Sequence, residues 1–229
     1  MDSKRRNLYG RRKGPKLRDN RADLMREKMD SYAVFGENSS GLIDQESLIS
    51  GVSDLWLEIG FGAGEHVAAQ AINNPSIGIL ACEHYLNGVA SCLSHIEKNS
   101  LSNVRLHNGD ARDLMDRLPD ASVGRVFLLY PDPWPKARHH KRRFINPDNL
   151  DAFARIMRGG AVLRVASDIP DYIEWTLEHL AERSEFTLLG DPATGFRKAW
   201  DDWPGTRYEA KALREGRTPA YLSFERKAS

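Results

Sequence analysis

The sequence predicts a doubly wound α/β fold with a mainly parallel sheet, and two observations support this. Short apolar segments with strand character alternate with helical segments, most of them about ten residues or longer, a pattern typical of βαβ units. The first of these strands ends in a glycine loop, GFGAG, where doubly wound folds commonly bind a ligand. With 229 residues the chain can bury one full core. We therefore expect a single domain, residues 21–229, preceded by a basic, flexible arm, residues 1–20.

Each predicted strand is a short apolar run, and most predicted helices lie between two such runs. Strands are expected at residues 55–59, 77–82, 104–107, 123–130, 161–166, 186–189 and 221–225. Helices are expected at residues 20–30, 65–72, 86–98, 114–118, 149–158 and 171–183, and a loop at 38–41. Pro119 stops the fourth helix, Gly159 and Gly160 suit the end of the fifth, and Pro170 suits the start of the sixth.

Positive charge is concentrated at the start of the chain. The first 18 residues contain eight Lys or Arg side chains and one acid, Asp2, a local charge of +7, whereas the whole chain carries +1. The remainder is therefore acidic, at about −6. This asymmetry favours a cationic arm that binds a polyanion; a basic start without a partner is the alternative.

The sequence contains no signal for export, for membrane insertion or for a metal site. No apolar segment follows the basic start, and no segment approaches about 18 uninterrupted apolar residues. The two cysteines, Cys82 and Cys92, lack CxxC spacing and a matching histidine cluster. We therefore expect reduced core thiols, no metal and a cytoplasmic protein.

The glycine loop after the first strand contains Gly60, Gly62 and Gly64 in a GxGxG pattern. Glycines there allow a tight turn and let backbone amides approach a ligand. Alone, the pattern is a weak indication, because its spacing differs from GxGxxG and glycine turns also occur for structural reasons.

Three carboxylates lie in the first predicted strand or at the ends of the next two. Glu83 is placed to bind ribose hydroxyls and Asp110 to accept from an adenine amino group, although a surface position would explain either one alone. Glu58, inside an apolar strand, needs loop amides or a ligand ammonium group as partners. An acidic crevice suits the sulfonium and ammonium charges of S-adenosylmethionine better than the pyrophosphate of a nicotinamide cofactor.

The fourth strand leads into a proline-fixed loop, YPDPWPKARHHKRR, at residues 130–143. Its three prolines each fix φ at about −65°, so Asp132 and Trp134 are held on stiff backbone. Five Lys or Arg side chains follow within eight residues. We interpret the segment as a catalytic carboxylate beside a nucleic-acid clamp; for the cations alone, a solvated loop is the alternative.

Several segments, from the first strand to near the C-terminus, match one family. They are LEIGFGAGEH at 57–66, ACEHYLNGVASCL at 81–93, NGDARD at 108–113, the proline-fixed loop, ASDIPDY at 166–172 and TRYEAKA at 206–212. On these residues the chain resembles the bacterial tRNA (guanine-N7-)-methyltransferases, whose basic arm is also similar to RRNLYGRRKG. GxGxG is generic among methyltransferases, whereas PDPWPKxRHxKRR is highly specific. Ser167 replaces the Thr often seen there, a mild departure.

The resemblance implies a Rossmann-like fold and methyl transfer from S-adenosylmethionine to N7 of guanine 46 in the tRNA variable loop. The donor-binding residues are then expected to be Glu58, Gly60, Gly62, Gly64, Glu83, Asp110 and Asp132, of which Asp132 is also the implied catalytic residue. Substrate binding is implied for Lys136, Asp168, Thr206, Arg207, Tyr208 and Glu209. RNA contact is implied for Arg138, His139, His140, Lys141, Arg142 and Arg143. The arm and this cationic stretch are expected to bind tRNA together, without affecting donor affinity.

The chemistry of guanine N7 agrees with these roles. N7 carries a lone pair and no proton, so its attack on a sulfonium methyl needs alignment more than a general base. Asp132 can stabilise the positive charge that develops on the ring, and Asp168 can share it unless it only caps the following helix. Trp134 and Tyr208 are placed either to stack on the base or to pack the protein.

The sequence is also compatible with two other functions. PDPW is a near relative of the (D/N)PP(Y/W) loop of amino-methylating enzymes, so a methyltransferase of another specificity is the first alternative. The second is a non-catalytic RNA-binding module, which would have no need for the carboxylates Glu58, Glu83 and Asp110.

Overall fold

The computed structural model describes residues 7–35 and 41–228, and these residues form a seven-stranded sheet with flanking helices. The strands are β1 (Asp54–Ile59), β2 (Ile77–Cys82), β3 (Val104–His107), β4 (Val123–Leu129), β5 (Met157–Ser167), β6 (Phe186–Leu189) and β7 (Ala220–Arg226). The helices are α1 (Asp19–Tyr32), α2 (Gln45–Leu48), α3 (Glu65–Asn73), α4 (Leu86–Lys98), α5 (Ala111–Arg117), α6 (Pro147–Ile156), α7 (Pro170–Ala181) and α8 (Arg207–Arg214). Short 3-10 helices lie at Ala137–Arg142 and Pro192–Thr194.

The strand order across the sheet is β3-β2-β1-β4-β5-β7-β6. Strands β1 to β5 pair in parallel, and β7 lies antiparallel between β5 and β6. The chain order reverses between β1 and β4, so the crevice at their carboxyl ends is the topological switch point. The predicted doubly wound, mainly parallel fold is confirmed.

The central strands are apolar almost throughout because helices cover both faces of the sheet. In β1, every residue after Asp54 is buried. Successive residues of β2 serve opposite faces: Leu80 packs in the core with α5, α6 and α7, and Ile79 in the core with α3 and α4. The buried carboxylate Glu58 interrupts this apolar pattern and therefore needs a specific partner.

The predicted strand ends agree with the structure to within two residues except at β5. Helix α6 ends at Ile156 and β5 begins at Met157, so the helix end predicted at Gly159 and Gly160 is wrong. Gly160 has φ of +80°, and the pairing of β5 with β4 shifts register in this region. The two glycines therefore belong to a bulge in the strand rather than to a helix cap.

Several short elements in polar segments were not predicted from the sequence. These are α2, α8 and the two 3-10 helices, none of which has a long apolar period. Of the loop predicted at 38–41, residues 38–40 lie outside the described residues. Among the residues that are described, no helix combines the length and the apolar character needed to cross a membrane.

The described part of the basic segment lies against the domain. The amide of Leu86 donates to the carbonyl of Arg12 at 3.0 Å. Asn87 accepts from the Gly14 amide at 3.0 Å and donates to the Pro15 carbonyl at 2.8 Å. The start of the predicted arm, residues 1–6, lies outside the described residues, and the boundary between arm and domain stays a prediction.

Candidate functional site

A cavity of about 220 Å³ opens at the carboxyl ends of β1, β2 and β4, beside the switch point. Its walls come from the glycine loop, the ends of β2 and β3, the proline-fixed loop and the start of the chain. The predicted site residues that line it are Gly60, Glu83, Asp110, Asp132, Lys141, Arg142 and Arg143. The sheet thus brings together residues that are up to 83 positions apart in the sequence, because parallel strands end at one edge.

Glu83 links the glycine loop to the start of α4. One carboxylate oxygen accepts from the Gly62 amide at 2.9 Å, and the other accepts from the Tyr85 amide at 2.8 Å. Burial raises the pKa of Glu83, and these amide hydrogen bonds partly oppose the shift. Each oxygen keeps a further lone pair that can accept a hydroxyl from a ligand in the cavity.

Asp110 begins α5 and holds an arginine at the cavity wall. Its carboxylate accepts from the Arg112 amide at 3.0 Å and from the Arg112 Nε at 2.9 Å. Asp110 is 8% exposed, so this charge is largely shielded from bulk water. The pair places one acid and one cation beside each other at the β3 side of the cavity.

The three loop glycines serve different structural needs. All have positive φ: +72° at Gly60, +61° at Gly62 and +84° at Gly64. A Cβ on Gly64 would lie 2.7 Å from the Cα of Cys92, so glycine there permits the close approach of α3 and α4. A Cβ on Gly60 would meet nothing within 4 Å, and Gly60 faces the cavity. Among the three, Gly60 is therefore the one that leaves space for a ligand.

Glu58 does not line the main cavity. It is 1% exposed, and its Oε2 lies 2.6 Å from Nδ1 of His66, which is itself buried at the start of α3. Glu58 contributes instead to a small adjoining pocket together with Gly60, Thr206 and Tyr208. The imidazole thus supplies the partner that a buried carboxylate requires, and contact of Glu58 with a donor stays a prediction.

Asp132 is exposed to the cavity on a constrained turn. The residues Tyr130 and Trp134 on either side have left-handed backbone, with φ of +50° and +44°, which is costly for non-glycine residues. The Tyr130 amide donates to the Ala166 carbonyl at 2.8 Å, which fixes the start of the turn on β5. Burial raises the pKa of Asp132. The loop therefore directs a carboxylate into the cavity at the expense of local strain.

The cationic stretch divides into exposed and buried side chains. Lys136, Arg138 and Lys141 are exposed, as RNA contact requires. Arg142 is half-buried, and its guanidinium lies 4.8 Å from the Trp134 ring centroid. These positions are compatible with a surface that receives phosphates beside the cavity.

Arg143 differs from the rest of the stretch because its side chain is fully buried. Its Nε donates to the Pro133 carbonyl at 2.9 Å, and its guanidinium pairs with Asp171 and lies 3.1 Å from Nε2 of His140. A buried guanidinium with these partners is not available to a phosphate. We therefore propose a structural role for Arg143 and leave it out of the proposed RNA surface, while its contact with RNA stays untested.

The late segment brings two tyrosines together across the small pocket. Thr206 caps α8 by accepting from the Glu209 amide at 3.1 Å. Tyr208 is 50% exposed, and its ring is nearly parallel to that of Tyr130, at 18° with the centroids 6.4 Å apart. Glu209 accepts from the Trp203 indole and the Tyr221 hydroxyl. These contacts of Glu209 anchor α8 and hold the Tyr208 ring over Gly62 in the glycine loop.

Two other predicted substrate residues pair with partners that are distant in sequence. Asp168, after β5, pairs with Arg217, and Arg207 pairs with Glu65 at the start of α3. The structure places Ile169 rather than Asp168 at the cap of α7, and no side chain caps that helix. The alternative interpretation of Asp168 as a helix cap is therefore wrong.

Several residues at the site were not predicted from the sequence. His66 and Arg217 are partners of predicted acids, Arg112 holds Asp110, and Asn7 and Tyr9 line the cavity. Four of them lie within segments that carry the family resemblance: His66 in LEIGFGAGEH, Arg112 in NGDARD, and Asn7 and Tyr9 in RRNLYGRRKG. Arg217 lies outside those segments. The pairings themselves depend on tertiary structure.

Known proteins match this chain over most of its length. A family model described as a putative methyltransferase matches residues 53–221. The tRNA (guanine-N(7)-)-methyltransferase of Ruegeria sp. (strain TM1040) is 51% identical over 226 residues, which covers 96% of this chain and 88% of that protein. The protein of the same name from Paracoccus denitrificans (strain Pd 1222) is 49% identical over 229 residues, which covers 98% and 96%.

Solved structures match the fold at low sequence identity. The 16S rRNA methyltransferase KamB has a TM-score of 0.58 at 20% identity, covering 86% of this chain and 99% of that chain. An antibiotic-related methyltransferase has a TM-score of 0.54 at 15% identity, covering 86% and 98%. The fold is the Rossmann-like fold of class I methyltransferases, as predicted.

Proposed function

We propose that this chain, which belongs to the tRNA (guanine-N(7)-)-methyltransferase family, transfers the methyl group of S-adenosylmethionine to N7 of guanine 46 in the variable loop of tRNA. The products are N7-methylguanosine and S-adenosylhomocysteine, and the proposed compartment is the cytoplasm. The observation that carries the proposal is the single cavity that joins Glu83 and Asp110 to Asp132 beside exposed cations.

The cavity residues suit a cationic adenosine donor. Glu83 is held by two amides and can still accept from ribose hydroxyls, and Asp110 lies at the neighbouring strand end. When bound, S-adenosylmethionine supplies a methyl group made electrophilic by the adjacent sulfonium. The carboxylates Glu83 and Asp132 offset the positive charge of such a ligand, whereas the charge of Asp110 is already paired with Arg112.

Asp132 is suited to orient the guanine and to stabilise charge on it. Its carboxylate can accept from guanine N1–H or the 2-amino group, which fixes the base in its plane. Positive charge then develops on the ring next to a carboxylate held in place by the strained proline turn, so little reorganisation is needed. No general base is required because N7 carries no proton.

The base itself must leave its normal stack to reach the cavity. N7 lies in the deep groove of an A-form helix, so only a displaced or loop guanine is accessible. The rings of Tyr130 and Tyr208 are nearly parallel with centroids 6.4 Å apart. Tyr208 is 50% exposed, so its ring offers a face on which a displaced guanine can stack.

The function is tested by incubating the protein with labelled S-adenosylmethionine and an unmodified tRNA transcript, followed by nucleoside analysis. We expect labelled 7-methylguanosine, located at position 46 by reduction and aniline cleavage. A transcript with 7-deazaguanosine at that position lacks N7 and should accept no label there. N6-methyladenosine as the product would favour the amino-methylating alternative, and donor binding without any product would favour a non-catalytic RNA-binding module.

Glu83→Ala is expected to weaken S-adenosylmethionine binding by roughly 1–3 kcal/mol, because ribose hydrogen bonds are lost and the glycine loop loses its anchor at Gly62. The affinity for tRNA should stay close to wild type. Calorimetric titration with S-adenosylhomocysteine measures the first effect and filter binding the second. Unchanged donor affinity would remove Glu83 from the donor site.

Tyr208→Ala is expected to lower kcat/KM for tRNA by about 10- to 100-fold, the equivalent of one lost base-stacking contact. Tyr208→Phe keeps the ring and serves as the matched control, with kcat/KM within about threefold of wild type. Donor affinity should not change in either variant. Equal losses in both variants would show that the hydroxyl, rather than stacking, is responsible.

A further inference from the structure

The start of the described chain lies across the opening of the main cavity. The segment is residues 7–15, which we call the wall segment. Its first three residues, Asn7, Leu8 and Tyr9, line the cavity together with Glu83 and Asp132. The basic charge of this region predicts RNA binding alone, so its position in the cavity wall departs from that prediction.

The wall segment is attached at both sides of the cavity. On the side of β3, the Asn7 carbonyl accepts from Arg112 at 3.0 Å, and Arg112 is the partner of Asp110. On the side of β4, Gly10 lies next to the Asp132 carboxylate, since a Cβ on Gly10 would be 3.9 Å from its Oδ2. The segment thus spans the opening from Asp110 to Asp132.

An arginine that contacts two aromatic rings holds the segment at Tyr9. The Arg142 guanidinium lies 4.5 Å from the Tyr9 ring centroid and 4.8 Å from that of Trp134. The two rings also meet edge to face, with centroids 6.0 Å apart. Such cation–π contacts contribute about 0.5–2 kcal/mol each, depending on how far water is excluded. They join the wall segment to the loop that carries Asp132.

The end of the segment is tied to α4. Asn87 bonds the backbone of Gly14 and Pro15, and the Leu86 amide donates to Arg12. A Cβ on Gly14 would displace the ends of the Tyr85 and Asn87 side chains, so glycine permits this close approach without moving them. Contacts at three separate places are more than a loosely attached arm would make.

We propose that the wall segment forms part of the methyl-donor site and that donor affinity depends on its attachment. The proposal rests on the proposed function, because it assigns the main cavity to S-adenosylmethionine. The Tyr9 ring and the Asn7 backbone exclude water from one side of the cavity and so strengthen the interaction of Glu83 and Asp132 with a cationic ligand. The basic start of the chain then serves the donor as well as the RNA.

The proposal is tested by calorimetric titration of S-adenosylhomocysteine and S-adenosylmethionine into the wild type and four variants. Deletion of residues 2–10 should weaken binding about tenfold or more, and Tyr9→Ala about three- to tenfold. Asn87 lines no part of the main cavity. Its replacement in Asn87→Ala releases the segment from α4 and should weaken binding about two- to fivefold. Deletion of residues 2–6 removes basic residues before the segment and is the matched control, with unchanged donor affinity.

A second readout follows the segment itself. Arg11, Arg12 and Lys13 are exposed sites for trypsin, and cleavage requires the segment to detach. S-adenosylhomocysteine should slow this cleavage in the wild type and much less in Asn87→Ala. If the wild type binds donor but deletion of residues 2–10 leaves affinity within about twofold, the wall segment has no part in the donor site. If the wild type binds neither ligand, the proposed function fails instead.

Discussion

Asp132→Asn is expected to lower turnover by about a hundredfold or more at saturating donor and tRNA, because it removes the negative charge next to the methylated ring. Asparagine keeps the size of the side chain and one acceptor oxygen, so the proline turn should keep its shape. Single-turnover methylation of tRNA measures the effect. Calorimetry with S-adenosylhomocysteine, which lacks the sulfonium charge that Asp132 offsets, serves as the control, with affinity close to wild type. Turnover within about twofold of wild type would exclude an electrostatic role for Asp132.

The pH dependence of the same step provides an independent check. Burial raises the pKa of Asp132, so its carboxylate is neutralised at a higher pH than an ordinary aspartate when the solution is acidified. The charged form is the active one, and the rate should therefore fall as the pH decreases through this raised pKa. The residual rate of Asp132→Asn should lack this acidic limb.

The fold and the positions of the main carboxylates could be predicted because they follow from strand patterns. Glu83 comes directly after β2 and Asp110 three residues after β3, and parallel strands end at the same edge. Asp132 was predicted for a similar reason, since three prolines end the fourth strand in a stiff turn. In each case local sequence and sheet geometry together were sufficient.

The partners of the site residues could not be predicted because they are set by tertiary packing. The contact of Asp168 with Arg217 joins residues 49 positions apart, and that of Asn7 with Arg112 spans 105. The structural role of a glycine is also ambiguous in the sequence. Gly159 and Gly160 are compatible with a helix end, but in the structure they occupy a bulge in β5. Tertiary packing also decides whether a cationic side chain is exposed. The sequence alone therefore placed the buried Arg143 in the same RNA-contact stretch as the exposed Lys141.

Arg143→Ala is therefore expected to destabilise the protein by roughly 2–4 kcal/mol, as for other large-to-small changes at buried sites. The fully buried side chain joins the Pro133 carbonyl to Asp171 of α7 and packs 4.9 Å from the Trp175 ring centroid. Its loss should also lower turnover, because Pro133 directly follows Asp132. Denaturant unfolding measures the stability and single-turnover methylation the rate.

Lys141→Ala provides the matched comparison within the same stretch. This side chain is exposed, so the free energy of unfolding should change by no more than about 0.5 kcal/mol. Its loss should instead weaken tRNA binding. If one phosphate contact is lost, the slope of log affinity against log salt should become shallower by about 0.9. Arg143→Ala, measured below its unfolding transition, should keep the wild-type slope, because a buried guanidinium neutralises no phosphate. The opposite pattern, with a stable Arg143→Ala variant and a reduced slope, would return Arg143 to the RNA surface.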